Sequence, residues 1–387
     1  MDMKKDLVWW EIKKLWQLRM WIVFLVLSMA FNFLLIAEGG AFSEEGAYAA
    51  YVGEVTQTAG NRMGDDFTAQ ALTLPEHFYR ERLLSETAGA AEILSGYKTQ
   101  ELYAYYMEHF HLDGFVADAL AKKYEELQER VDILAAQQAS LAVGAAGATQ
   151  EVLENLFYWL CPALLIESVL LAVLLALYAG GGEQMSRTQY LVYTTRRGRK
   201  IQMEKAVAAL VSAEAAYLLL AGSSFGIFAV CWRLGAVWRM DMSSQFYSVR
   251  DMGVEMPFIS WMNFTLKGYL CAVMGMGVLM ILLFGLFGLC AGLVTKNAYR
   301  GFLLLLICGT FNFWGIFVSE NSGLWSLYEI MQWTPAGIWS NVSFWLSGLG
   351  MSVLVPWQEV LAALTCLLIA GGLFAAARVY FERREIY

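Results

Sequence analysis

Charge is scarce in this sequence: only 16% of its 387 residues are Asp, Glu, Lys or Arg, against 58% hydrophobic. Soluble domains sit nearer a quarter charged and half apolar, so a single water-soluble core is excluded. Cysteine is sparse, and all six lie in apolar runs: Cys161, Cys231, Cys271, Cys290, Cys308 and Cys366. That placement excludes a disulfide framework and shows no metal-ligand spacing; the thiols read as small apolar helix residues. Histidine is limited to three residues. Two of them, His109 and His111 in EHFHLD, stand two apart, a spacing that does not share a helix face, so solvated side chains are expected rather than a zinc site. No G-x-x-x-x-G-K-[ST] or H-E-x-x-H occurs, and the one G-x-S-x-G string, Gly222–Gly226, lies inside a long apolar run rather than at a strand-to-helix elbow. Nucleotide hydrolysis, acyl transfer on a nucleophile elbow and zincin chemistry therefore have no carrier in this chain.

What is present is a series of apolar runs long enough to cross a bilayer, about 18 residues or more. They read as six spans in a one-plus-five arrangement: 20–37, 157–179, 206–230, 266–294, 301–318 and 359–374 or slightly beyond. The fold class is an all-α polytopic membrane protein with six transmembrane helices and an inserted helical extracytoplasmic domain. Residues 1–19 form an amphipathic interfacial helix, with Trp9, Trp10, Leu15 and Trp16 set among Lys4, Lys5, Lys13, Lys14 and Arg19, suited to anionic lipid. A cleaved signal peptide is disfavoured, because the first run is long and no A-x-A site follows.

The net charge of −8 conceals an asymmetry. Residues 38–154 carry 20 acidic against 7 basic residues, whereas the termini and the short segments 180–205 and 295–300 are basic. Lys and Arg in short loops mark the cytoplasmic side, so 38–154 is expected outside and both termini inside. Within 38–154, Leu120, Tyr124, Leu127, Val131, Leu134 and Leu141 follow a heptad seam, with Gln138 filling the gap. A second helix is expected within Leu74–Leu94, bringing Leu83, Leu84, Ile93 and Leu94, with Pro75 near its start. Residues 155–387 form the five-helix domain. Its stretch 319–357, apolar but broken by Gly and Pro335 and holding Trp325, Trp333, Trp339, Trp345 and Trp357, reads as one or two short outer interfacial or re-entrant helices.

Two carboxylates stand inside spans, Glu167 and Glu214. They lie about 18 Å and about 12 Å from the inner ends of adjacent antiparallel helices, which could bring them near one another. They read either as the lining of an intramembrane pathway or interface, or as hydrogen-bonded contacts between helices. In the fourth span, Gly288 and Gly292 form a G-x-x-x-G pair that serves dimerisation or packing within one subunit equally well. The connector 180–205 opens on Gly180–Gly182, which are expected to end the preceding span. It then carries Arg187, Arg196, Arg197, Arg199, Lys200 and Lys205. Tyr190–Tyr193 suggest a short amphipathic helix there. Its cations suit either lipid headgroups or a soluble partner.

This connector resembles the first cytoplasmic loop of the membrane (permease) subunit of type-2 ATP-binding-cassette (ABC) exporters. Glu183 stands at that family's acidic position, Thr188 at its threonine and Leu191–Thr195 at its turn. Arg196, Arg197, Arg199 and Lys200 stand in its basic cluster, and Lys205 is the closing lysine. Arg187 replaces the usual glycine, and the proline after the turn is absent. The interfacial helix, six spans, large insertion and broken outer helices are similar to that family as well. The resemblance implies a plasma-membrane, multi-pass permease, bacterial in type, that is not itself an enzyme. It implies pairing with a second copy or a sister permease, and with a separate soluble ABC ATPase that binds ATP and Mg, coupled through Glu183, Arg187, Arg196, Arg197, Arg199, Lys200 and Lys205. No nucleic acid is expected as a partner. The competing reading is a membrane-anchored sensor or assembly protein whose exterior domain binds a ligand.

Overall fold

Apolar side chains on nearly every helix face, rather than on one stripe, organise the chain into long helices, most of which, Ala146–Met185 excepted, leave the larger part of their surface exposed. The computed structural model describes residues 3–17, 19–193, 198–295 and 297–383. Six of its helical runs are long and apolar enough to cross a membrane: Arg19–Ala41, Ala146–Met185, Gly198–Trp232, Leu266–Thr295, Ala298–Asn321 and Gln358–Arg383. Among the described residues the protein is thus an all-α chain of multi-pass character, with one small hairpin as the exception.

In order, α1 (Met3–Trp16) leads into α2 (Arg19–Ile36), whose buried residues Trp21, Ser28, Asn32 and Ile36 form a single stripe. A π-helical turn then passes into an inserted helical lobe: α3 (Glu44–Ala59), α4 (Asp65–Thr73), α5 (Arg80–Thr87), α6 (Thr99–Phe110) and α7 (Gly114–Ala136). Ser43 caps α3 by accepting from the Glu45 amide at 3.2 Å. The lobe returns through α8 (Thr149–Glu154), which runs on without a break into α9 (Cys161–Met185). Beyond α10 (Gln189–Tyr193), α11 (Gln202–Trp232) leads to the antiparallel hairpin β1 (Ser248–Asp251) and β2 (Val254–Pro257). The chain closes with α12 (Leu266–Thr295), α13 (Ala298–Asn321), the short α14 (Trp325–Gln332) and α15 (Pro335–Ser340), and α16 (Gln358–Arg383).

The heptad seam lies on α7, where Leu120, Tyr124, Leu127, Val131 and Leu134 are fully buried. Leu141 falls off it, because Gln138 adopts φ +53° and the helix has ended. The partner of α7 also differs from the expectation. Residues 74–79, with Pro75, are not helical, α5 is only eight residues long, and α7 packs instead against α6 and the turn at Leu94. The α5 segment has another task. Arg82 forks onto Glu45 at 2.8 and 2.7 Å, reaches Glu86 at 2.9 Å and lies over the Tyr48 ring, tying α5 to α3.

The spine of the membrane region is the α9–α12 contact, where glycines let two backbones meet. A Cβ on Gly288 would sit 2.8 Å from the Ala176 Cβ, and one on Gly292 would sit 3.3 Å from the Gly180 Cα. The G-x-x-x-G pair is therefore used inside one subunit. Gly180–Gly182 do not end the second span. They are helical, α9 continues to Met185, and Gly180 permits the close approach to Gly292.

Candidate functional site

The connector between α9 and α11 is shorter than its sequence boundaries, 186–201, and both of its ends are fixed by charge. Glu183 stands near the end of α9 and Lys205 in the first turn of α11; they form an ion pair, exposed by only 4% and 3%. Each charge alone opposes its helix dipole, since a carboxylate is disfavoured at a C-terminus and an ammonium at an N-terminus. Juxtaposed, the two charges offset that cost and bind the two helix ends together. The charges of Glu11 and Lys14 also act on Lys205, so α1 belongs to the same assembly, consistent with its packing along α11.

Between these anchors the chain turns at Ser186, whose hydroxyl donates to the Gly182 carbonyl at 2.8 Å, and the Ser186 and Thr188 hydroxyls lie 2.8 Å apart. Arg187 has a φ of +57°, in the left-handed region where glycine is at ease. Its side chain is exposed, as are those of Tyr190, Leu191 and Lys200. Arg199 behaves otherwise. It donates to the Phe381 and Glu382 carbonyls at 2.9 and 3.0 Å, holding the last turn of α16, where a cation is favourable. Arg196 and Arg197 lie outside the described residues. The connector therefore unites Glu183, Lys205 and Arg199 in holding α9, α11 and α16, while Arg187 and Lys200 face outward beside two large side chains. That capping role for Arg199 has no local sequence signal, because its partners are backbone carbonyls far along the chain.

The two intramembrane carboxylates are not brought together. Asn32 of α2 donates to Glu167 at 2.9 Å and also contacts the Ser224 hydroxyl of α11 at 3.2 Å. Glu214 stands ten residues before Ser224 on the same helix, about 15 Å away at helical rise. Both Glu214 oxygens lack a hydrogen-bond partner among the described residues. The sequence reading passed over Asn32, although an Asn within an apolar span is itself a signal, being the kind of group that bridges helices. Asn155 acts similarly one layer away. It donates to the Leu35 carbonyl at 2.8 Å and accepts from the Trp232 indole at 3.1 Å.

An open apolar groove of about 500 Å³ lies between α1 and α11, lined by Trp9, Ile12, Trp16, Val211 and Ala215, with Lys13 at its rim. Its chemistry suits an acyl chain below an anionic headgroup. Among the described residues no group of three or more His, Cys, Asp or Glu is arranged to hold a metal ion. His109 instead stacks on Tyr105 with ring centroids 3.9 Å apart. No family model, curated protein or solved structure matches this chain.

Proposed function

We propose that this chain is the permease subunit of an ABC exporter and that its connector is where a separate ATPase subunit grips it. The observation that carries this reading is the buried Glu183–Lys205 pair, at the two positions where the resemblance expects an acidic residue and a closing lysine. A surface held this way can pass force. A partner seated on Arg187, Tyr190, Leu191 and Lys200 would push on α9 and α11 through the ion pair and on α16 through Arg199. Three spans would then move as one body. ATP and Mg belong to the partner, since this chain carries no phosphate-binding loop of its own.

In this reading the connector and both termini are cytoplasmic, the inserted lobe is extracytoplasmic and transport runs outward, as the distribution of Lys and Arg favours. A second copy or a sister permease completes the pathway. The Glu167–Asn32–Ser224 contact and Glu214 are the polar groups available to line it or the subunit interface. The α1 helix and its groove rest on membrane lipid.

The test is co-purification with a soluble P-loop ATPase encoded beside this chain. Reversing charge at Arg187 and Lys200 together is expected to lower recovery of the ATPase several-fold while the protein still inserts. Arg196 and Arg197 belong to the same test. Arg199 does not, because reversing it would release α16 as well. Unchanged recovery would leave the connector as a topology and lipid element. If no ATPase is ever recovered, the sensor or assembly reading gains.

A further inference from the structure

Lys123 of α7 is a cation in the wrong solvent: it is 1% exposed, and its ammonium donates to the Gly350 carbonyl. Around it stand three carboxylates from three other elements, Asp251 of β1, Glu329 of α14 and Glu359 in the first turn of α16. Asp251 is well provided for. It accepts from the Met351 amide at 3.1 Å and from the Tyr106 hydroxyl at 3.2 Å. The loop can pass between it and Lys123 because Gly350 has φ +75°, where any Cβ would strike the Asp251 carboxylate. Asp251 is therefore the counter-charge to Lys123.

Glu329 and Glu359 are different. They are 3% and 2% exposed; neither oxygen of Glu329 has a hydrogen-bond partner among the described residues, and Glu359 is met only by the backbone amides of Leu346 and of Glu359 itself. One lysine cannot neutralise three carboxylates. A buried ionised carboxylate without donors is costly enough that it takes up a proton instead. A metal ion is not the alternative here, since no group of three or more ligating side chains is arranged to hold one among the described residues. The position is strategic. It is where the inserted lobe meets the short helices between the last two spans, with the Trp325 indole of α14 donating to the Phe110 carbonyl of α6 at 2.9 Å.

We infer that Glu329 and Glu359 form a proton-binding site at the junction of the inserted lobe with α14 and α16, and that release of these protons loosens the lobe. Burial pushes Glu329 up from 4.5 to about 8, with Lys123 opposing and Asp251 adding to the rise. Burial also pushes Lys123 down from 10.5 to about 8, against the attraction of Asp251, Glu329 and Glu359. The other titratable groups facing the site are Tyr106, Tyr124 and Tyr328, all raised by burial, and Glu320 of α13. Between its ordinary value and about 8, Glu329 binds more proton in the docked state than in the loosened one. Docking therefore weakens as pH rises through that window. Above about 8 the depressed Lys123 acts with the opposite sign, so the informative range lies below it. The proton site stands whether or not an ATPase grips the connector.

The test uses the full-length protein in lipid nanodiscs and a Glu329→Gln/Glu359→Gln double variant, which reproduces the shape of the neutral acids. Hydrogen exchange is read on α6, α7 and α14 at pH 6 and pH 8, comparing the two proteins at matched pH. Protection in the wild-type protein is expected to fall at the higher pH relative to the variant, whose lobe stays docked at both. Infrared spectra at pH 6 are expected to lose part of the protonated-carboxyl C=O band in the variant. A variant that tracks the wild type at both pH values overturns the inference. So does an undiminished carboxyl band, and so does a variant that fails to fold, since an essential ionised partner of Lys123 would then have been removed.

Discussion

At the residue scale, the protein puts charges where water cannot reach them and relies on their partners. Glu183 and Lys205 are the sharpest case, because each also opposes its own helix dipole. Removing one partner of such a buried pair costs about 3–5 kcal/mol, whereas replacing both with neutral groups of similar size is often close to neutral. Lys205→Met alone is therefore expected to destabilise by roughly that amount, and Glu183→Gln/Lys205→Met by much less. A thermal-unfolding double-mutant cycle checks this; additive losses would mean the two residues act independently. Arg82 gives a milder case in the lobe. Its carboxylate partners are partly solvated, so Arg82→Met is expected to cost only about 1–2 kcal/mol in denaturant unfolding. Glu183 and Lys205 were legible in the sequence as positions in a pattern. Their mutual contact was not, and Asn32 and Arg199 show why: their partners come from elements with no local relation to them.

At the scale of elements, glycine placement decides which helices touch. The α9–α12 spine depends on Gly180, Gly288 and Gly292, and a side chain at Gly292 must push α9 away. Overpacking of this kind costs typically about 1–3 kcal/mol, so Gly292→Val is expected to lower the unfolding midpoint, while Gly222→Ala, which meets open space, is expected to leave it unchanged. Equal effects from the two would remove the close-packing account. Span existence and order were readable from hydropathy alone, because length and apolarity settle them. The behaviour of Gly180–Gly182 was not. A run of glycines disfavours a helix in water, but where two helices pack tightly it lets their backbones approach, as Gly180 does against Gly292. The partner of α7 was hidden for a related reason. A seam states that a helix needs a neighbour without naming it, and α6 together with the turn at Leu94 supplied the contact expected from a helix within Leu74–Leu94.

At the scale of the whole molecule, two junctions hold separate elements to one another. At one end the connector anchors α9, α11 and α16 through Glu183, Lys205 and Arg199. At the other, Lys123, Asp251, Glu329 and Glu359 join the inserted lobe to α14 and α16. α16 is common to both, since Arg199 holds its last turn and Glu359 stands in its first. The second junction escaped sequence reading altogether, because its four ionisable side chains lie on four separate elements of the chain. The central claim is that the connector is a docking surface for a soluble motor. Cross-linking in native membranes tests it most directly, using a cysteine at position 200 (Lys200→Cys) in a variant whose six native cysteines are replaced by Ser or Ala. The account predicts an adduct with a P-loop ATPase whose yield changes when ATP and Mg are added. An inserted, folded protein whose residue 200 is reactive towards small thiol reagents yet forms no ATPase adduct would contradict it.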